Sequence, residues 1–173
     1  MGSLEETLCR KCGLCCDGTL FADVLVRAAE LPPIKAEIVY ERRRPDYFLQ
    51  QPCAAFCQDR CQVYADRPSG CRQFECLLLK QTKQGKMPVG EALDIVRKTK
   101  ARVSRVQSLL ESLGETDTSL PLSFRYDEAL SQAWDLSEDE GDQRMREELY
   151  REATELETQL LRNFRPDAET SRS

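Results

Sequence analysis

Cysteine is the residue type with the clearest capacity for chemistry in this 173-residue chain, which contains nine of them. The first four fall within eight residues, in the run Cys9-x₂-Cys12-x₂-Cys15-Cys16. The other five lie downstream, at Cys53, Cys57, Cys61, Cys71 and Cys76. Thiolates are soft ligands for zinc and for iron–sulfur clusters, and a C-x₂-C turn can direct two sulfur atoms at one ion. The clustering therefore indicates a thiolate metal site.

The chain contains no histidine. This excludes Ser-His-Asp and Cys-His nucleophile pairs, facial metal sites built on histidine, and mixed Cys/His zinc fingers. Metal binding is therefore expected to use sulfur alone. Nine cysteines can supply two sites of four thiolates and one spare thiol, and one site of four beside several structural cysteines is the alternative.

The spacing also bears on the identity of the metal. The C-x₂-C-x₂-C run is similar to the run that wraps a cubane iron–sulfur cluster, so a [4Fe–4S] cluster is the preferred cofactor. Zinc is the alternative, because a small domain with few apolar residues is equally typical of a zinc-stabilised fold. Cations close to the cysteines either donate hydrogen bonds to sulfur or are solvated surface charges. They are Arg10, Lys11, Arg60, Arg67 and Arg72.

The cysteine pattern, with Pro52-Cys53, Tyr64, Arg67-Pro68 and Cys71-Arg72-x-Phe74-x-Cys76, resembles the YkgJ-like cysteine-cluster family, also called the CxxCxxCC domain. The resemblance covers residues 9 to 80 and implies a zinc- or iron-chelating function. It implies that eight cysteines are metal ligands: Cys9, Cys12, Cys15, Cys16, Cys53, Cys61, Cys71 and Cys76. Cys57 falls outside the pattern and is either the spare thiol or a replacement for one of the eight.

The resemblance does not bring an activity with it. Some longer relatives pair such a cluster with methyl transfer, but this chain lacks the C-x₃-C-x₂-C run of radical methyl-transfer enzymes. It also lacks a glycine-rich motif that would bind a dinucleotide or adenosyl cofactor. Whether the chain is an enzyme therefore stays open.

The compartment is predicted from the N-terminal residues and from the cysteines. Residues 1–8 have neither the basic start nor the apolar stretch of a secretory signal, and Glu6 stands where myristoylation needs Ser or Thr. No apolar run approaches the roughly 20 residues of a membrane-spanning helix. We therefore expect a cytoplasmic protein, where thiols stay reduced and clustered cysteines indicate metal or catalysis rather than a disulfide scaffold.

The charge pattern bears on partners. The net charge is −5, and the compact basic run Arg42–Arg44 has no pattern of stacking aromatic residues around it. We therefore expect no nucleic-acid partner and no membrane partner.

The sequence predicts a mostly α fold with two regions that meet near residue 85. Residues 1–85 hold all the cysteines, with 12 basic and 11 acidic residues, whereas residues 86–173 hold 13 and 19. We expect an irregular cysteine-cluster region at 1–85 that is nucleated by metal. It would pack on a helical region at 86–165, and residues 166–173 would form a disordered tail.

Apolar periodicity locates the helices. One long helix is expected from Pro88 to Gly114, with the apolar stripe Leu93, Val96, Val103, Val106, Leu110 and Leu113. A short helix is expected around Tyr126 to Trp134, and the capping box Ser137-x-x-Glu140 opens a second long one. Its stripe is Met145, Leu149, Ala153, Leu156, Leu160 and Phe164. In the first half, Phe21 to Val26 is either a short strand or the start of a helix.

These features suit three functions. The preferred one is a small metal-binding protein with one or two iron–sulfur or zinc centres, acting as a redox or accessory protein. The helical half would then brace the cysteine region as an antiparallel hairpin or bind a protein partner. The alternatives are a cluster-dependent enzyme that modifies a protein or peptide, and a structural zinc interaction module. The oligomeric state is not encoded in these patterns.

Overall fold

A computed structural model describes residues 4–30, 40–43, 46–131 and 140–165. The helices in this part of the chain are α1 (Leu4–Cys12), α2 (Ser69–Gln73), α3 (Leu77–Lys83), α4 (Val89–Ser112), α5 (Leu122–Ser131) and α6 (Glu140–Asn163). The strands are β1 (Asp23–Val26), β2 (Tyr40–Arg43), β3 (Asp46–Gln50), β4 (Phe56–Cys57) and β5 (Arg60–Cys61). The prediction of a mostly α fold is confirmed, while nucleation by metal stays a prediction.

The two long helices pack side by side and run antiparallel. Arg105 of α4 pairs with Glu148 of α6, and Arg102, one turn earlier on α4, lies 3.4 Å from Glu152. Since the residue number on α6 rises as the residue number on α4 falls, the two helices run in opposite directions. The predicted hairpin of long helices is therefore present, with α5 packed against both.

The helix boundaries follow local signals in most places. Helix α4 ends before Gly114, whose φ of +83° suits the residue after a helix. Helix α5 begins at Leu122, four residues before the predicted Tyr126, because the Leu122 side chain is buried and its N–H donates to the Gly18 carbonyl at 3.0 Å. The predicted capping residue Ser137 and the predicted helix end at Trp134 lie outside the described residues.

The apolar stripe of α6 is buried as expected from Leu149 to Phe164. At its start the structure differs from the prediction. Met145 is half-buried, whereas Arg146 is 8% exposed and its guanidinium donates to the Ala129 carbonyl. A long side chain with an apolar stem can occupy such a position when its charged end meets a carbonyl.

The first half is more regular than predicted. Strands β1, β3 and β2 form an antiparallel sheet in that order, with Val24 opposite Leu49, so Phe21 to Val26 contains a strand rather than a helix start. Strands β4 and β5 form a hairpin around Gln58 and Asp59, which both have positive φ. Two consecutive positive φ values are typical of the tightest hairpin turns.

One large core joins the two halves of the chain. It packs Leu8 and Leu14 of the first half against α4 and α6 of the second, and Phe164 is fully buried in it. A smaller core, built from Val26, Leu49, Cys53 and Ala55, lies under the sheet and the hairpin. The division near residue 85 stays a prediction, and the predicted tail lies outside the described residues. Within the described part of the chain, no helix has the length and apolar character needed to cross a membrane.

Candidate metal centre

All nine cysteines are described and all are free thiols. A single cavity of about 290 Å³ is lined by eight of them: Cys9, Cys12, Cys15, Cys16, Cys53, Cys61, Cys71 and Cys76. These are the eight cysteines implied by the family resemblance. The ninth, Cys57, is exposed on the β4–β5 hairpin and is not part of the cavity wall.

Four of the eight thiols are positioned by α1 and α3. Cys9 and Cys12 are three residues apart on α1, which places them on one face of the helix. Cys76 is the N-cap of α3, and α3 packs against α1. Cys15 lies three residues beyond the last residue of α1. The side chains of all four pack in the large core, so we call Cys9, Cys12, Cys15 and Cys76 the helical group.

The other four thiols come from the sheet side of the molecule. The Cys53 N–H donates to the Cys16 carbonyl at 2.8 Å, which holds these two residues together across 37 positions of sequence. Cys61 lies opposite Phe56 in the β4–β5 hairpin, and Cys71 lies on α2, which packs on β1. We call Cys16, Cys53, Cys61 and Cys71 the sheet group.

Gly13 and Phe56 join the two groups. Gly13 has a φ of +75°, which lets the chain turn sharply between Cys12 and Cys15. A Cβ atom at Gly13 would lie 2.5 Å from the Cζ atom of Phe56, so the Phe56 ring rests directly on the Gly13 backbone. Glycine is therefore required here for both its backbone angle and its lack of a side chain.

Backbone N–H groups face sulfur atoms in both groups. The Leu79 N–H donates to Cys76 Sγ at 3.4 Å. The N–H groups of Leu14, Ala55 and Val63 act on sulfur in the same way. Each contributes a lowering of the pKa of the cysteine two residues earlier in the chain, namely Cys12, Cys53 and Cys61. Donation to sulfur favours the thiolate over the thiol, and the thiolate is the form that binds metal.

Burial keeps most of the thiols protonated in the absence of a cation. It raises the pKa of Cys9 and Cys71 to about 11 and that of Cys12 to about 12. Burial also raises the pKa of Cys15, and the next contributions come from its neighbours Cys12, Cys76 and Cys9. These shifts are expected of thiols that are crowded together in a cavity with too little positive charge to offset them.

Cys61 is the exception. The Cys16 thiol donates a hydrogen bond to the Cys61 sulfur, which lowers the pKa of Cys61 to about 6 and raises that of Cys16. The positive charges of Arg67 and Arg10 act in the same direction on Cys61.

Two of the predicted cations face the cavity. Arg67 and Arg10 line it, and the Arg67 guanidinium lies 3.7 Å above the centre of the Tyr64 ring, with its Nε donating to the Tyr64 carbonyl at 2.9 Å. Lys11 and Arg60 are exposed and lie outside the cavity wall. Arg72 is also outside it and lies 3.7 Å from Glu30. Hydrogen bonding of these side chains to sulfur stays a prediction.

Sequence reasoning missed two polar residues at the site. Asp17 is close enough to Cys12 and Cys15 to raise their pKa, and it accepts a hydrogen bond from the Thr19 N–H at 2.9 Å. Gln51 is 3% exposed and lines the cavity, and its Oε1 atom has no hydrogen-bond partner among the described residues. The position of Gln51 directly before the Pro52-Cys53 pair was the feature of the sequence from which its place at the site could have been predicted.

The donor set of the cavity fits a thiolate-bound metal, although the thiols are not yet in position around one. In the described part of the chain, no group of three or more Cys, Asp or Glu side chains is arranged so that it could hold a metal ion. Eight cysteine residues nonetheless line one cavity whose remaining wall is largely apolar, with Leu8, Leu20, Val63 and Leu78 among its residues. Soft sulfur ligands in an apolar enclosure suit zinc or iron–sulfur clusters.

Comparison with known proteins agrees with this chemistry. Residues 8–90 match the family model of the CxxCxxCC domain, which is described as a putative zinc- or iron-chelating domain. The match confirms the resemblance seen in the cysteine pattern and supports metal binding by this region. No curated protein and no solved structure matches the chain.

Proposed function

We propose that this is a small cytoplasmic protein that binds metal through cysteine alone and acts as a redox or accessory protein, since residues 8–90 match the family model of the CxxCxxCC domain. The observation that carries the proposal is the division of its nine thiols. The eight that the family pattern contains line one cavity, and the one outside the pattern is exposed.

The cofactor we propose is an iron–sulfur cluster of the [4Fe–4S] type, with zinc as the alternative. The C-x₂-C-x₂-C run favours the cluster, since three sulfur atoms follow one another at the spacing that wraps a cubane. When bound, such a cluster supplies a one-electron redox couple, whereas zinc supplies structural stability.

The residues around the cavity would stabilise either cofactor in the same way. A four-thiolate site with a divalent ion carries a charge of about −2. The N–H groups of Leu14, Leu79, Ala55 and Val63 offset part of that charge. Arg67 also offsets it, because its guanidinium is fixed over Tyr64 and already lowers the pKa of nearby thiols. Binding also requires the cavity thiols to come closer together, because no three of the described Cys, Asp or Glu side chains are grouped so that they could hold an ion.

An accessory role implies a protein partner, and the helical half is the part of the chain that the cysteine chemistry leaves free for it. The enzyme hypothesis receives less support. Its hints in the sequence are the basic run Arg42–Arg44 and the extra thiol of Cys57, and Cys57 is exposed on the hairpin and outside the cavity wall.

The experiment that tests the proposal is anaerobic purification followed by metal and acid-labile sulfide analysis and a visible spectrum. Brown protein with iron and sulfide in equal amounts is expected. Colourless protein with stoichiometric zinc would retain metal binding but replace the redox role with that of a structural zinc module. Protein with neither metal would refute the proposal. The Cys57→Ala variant serves as the control and should keep the full metal content.

A further inference from the structure

We propose that the cavity holds two separate four-thiolate sites rather than one shared centre. Site 1 consists of the helical group, Cys9, Cys12, Cys15 and Cys76. Site 2 consists of the sheet group, Cys16, Cys53, Cys61 and Cys71. The inference rests on the proposed metal-binding function and adds to it the number of centres and the ligands of each.

Packing separates the two groups. Every side chain of site 1 packs in the large core, which is shared by α1, α3, α4 and α6. In site 2, Cys53 belongs to the small core under the sheet, and Cys16 and Cys71 pack against that core. The thiols that share one cavity are therefore held by two different sets of structural elements.

Independent contacts fix the parts of site 1 to one another. The Lys83 ammonium lies 3.1 Å from the Glu5 carboxylate of α1 and is also bonded to Glu75, the residue before Cys76. These ion pairs connect α1, the last residue of α3 and the residue before Cys76, which keeps Cys76 on the side of α1 that carries Cys9 and Cys12.

Site 2 is fixed by a different set of contacts. The hydrogen bond from Cys53 N–H to the Cys16 carbonyl holds two of its segments together. Helix α2, which carries Cys71, is fixed at its start by Glu30, which accepts hydrogen bonds from Ser69 N at 2.8 Å and Ser69 Oγ at 3.0 Å. The helix also packs closely on β1, since a Cβ atom at Gly70 would overlap the Leu25 carbonyl oxygen.

In site 1 the Leu79 N–H donates to Cys76 Sγ at 3.4 Å, so this site has a backbone donor to sulfur that comes from its own helix. The competing arrangement is a single cluster in which Cys15 or Cys16 bridges two ions.

The test counts zinc bound per chain after anaerobic titration of the reduced apoprotein with zinc alone. Wild type should bind two ions. The single variants Cys76→Ala and Cys71→Ala should each bind one ion. The double variant Cys9→Ala with Cys76→Ala loses only site 1 and should still bind one ion. The double variant Cys76→Ala with Cys71→Ala loses both sites and should bind none. Cys57→Ala, the matched control, should bind two.

A second measurement needs no variant and so does not depend on altered chains folding. A chelator removes zinc from the wild-type protein in steps, and each step is followed by alkylation and mass spectrometry. The cysteines should become reactive in two blocks of four that match the two sites. If wild type binds a single ion, or if all eight thiols become reactive together, the division into two sites is wrong. If wild type binds no zinc and no iron, the proposed function itself fails.

Discussion

Cys15 and Cys16 share a peptide bond, yet their side chains pack against different cores. Cys15 contacts the large core of the helices, and Cys16 contacts the small core under the sheet. One peptide unit therefore connects the two groups of thiols. The turn that leads into it, which contains Gly13, should influence both.

Replacing Gly13 tests that influence. Gly13→Ala places a methyl group against the Phe56 ring and forces a side chain into a backbone conformation with φ of +75°. Holding alanine in this left-handed conformation should lower the free energy of unfolding by about 1–2 kcal/mol. Overpacking against the Phe56 ring should lower it by a further amount of about 1–3 kcal/mol. Gly85→Ala is the matched control, because Gly85 has a φ of +71° but nothing within 4 Å of the added atom. Urea unfolding of the metal-loaded protein should show the larger loss for Gly13→Ala, and equal losses would contradict the contact with Phe56.

Arg67 should matter for metal affinity where Arg72 does not. Arg67→Gln removes a positive charge that faces Cys9, Cys61 and Cys71, so competition with a chelator should show weaker metal binding. Arg72→Gln removes the same charge outside the cavity and should leave the affinity unchanged. Wild-type affinity in Arg67→Gln would show that the charge of Arg67 does not support metal binding and that the residue acts only by packing on Tyr64.

Cys57 should be the reactive thiol of the loaded protein. It is exposed on the hairpin, whereas the other eight cysteines face the cavity and would be protected by metal. Mild treatment with iodoacetamide should add one label per chain without release of metal, and Cys57→Ala should take up none. Labelling of a cavity cysteine in place of Cys57 would mean that Cys57 has replaced that residue as a ligand.

The parts of the fold that sequence could predict are those set by nearby residues. The stripe of α4 that contains Val96, Val103 and Leu110, and the stop at Gly114, follow from helical periodicity and from a positive φ that glycine readily adopts. The eight-cysteine pattern likewise depends on spacing within short segments.

What sequence could not supply depends on contacts between distant segments. The division of the thiols follows from how Cys53 pairs with Cys16 and how Cys76 meets α1, and neither contact leaves a local pattern. Strand β1 was ambiguous because its four residues gain their partner only when β3 folds beside them. The burial of Arg146 depends in the same way on a carbonyl of a different helix.

Glu30 gives the structure a pH dependence away from the thiols. Its carboxylate accepts hydrogen bonds from Ser69 N, Ser69 Oγ and Arg27 N, and donation from Ser69 N is the main reason its pKa is lowered. A lowered pKa means that the charged form stabilises the fold above the ordinary glutamate pKa of about 4.3, and that this stability is lost as the pH falls through the folded value.

Glu30→Gln should therefore lower the urea midpoint at pH 7, and the difference from wild type should shrink below about pH 4.3. Ser69→Ala should lower the midpoint in the same direction, and the double variant should lose less than the sum of the two, since both changes remove one set of bonds. A difference that is constant with pH would show that the charge of Glu30 is not involved.

Phe164 couples the last helix to the cysteine cavity, and its removal is the sharpest test of the shared core. Phe164 is fully buried and lines the cavity. Its carbonyl accepts a hydrogen bond at 3.2 Å from the N–H of Leu77, the residue that follows Cys76. Phe164→Ala should destabilise the protein by about 3–5 kcal/mol because a large buried ring leaves a void. It should also speed the release of metal, since the start of α3 loses its support.

Phe124→Ala is the matched control, because Phe124 lies on α5 with 55% of its surface exposed. Its loss should change stability by no more than about 0.5 kcal/mol and should leave the rate of metal release as in wild type. Urea unfolding and chelator-driven release measure the two effects separately. If Phe164→Ala weakened the fold but released metal at the wild-type rate, the C-terminal helix would stabilise the molecule without supporting the thiols.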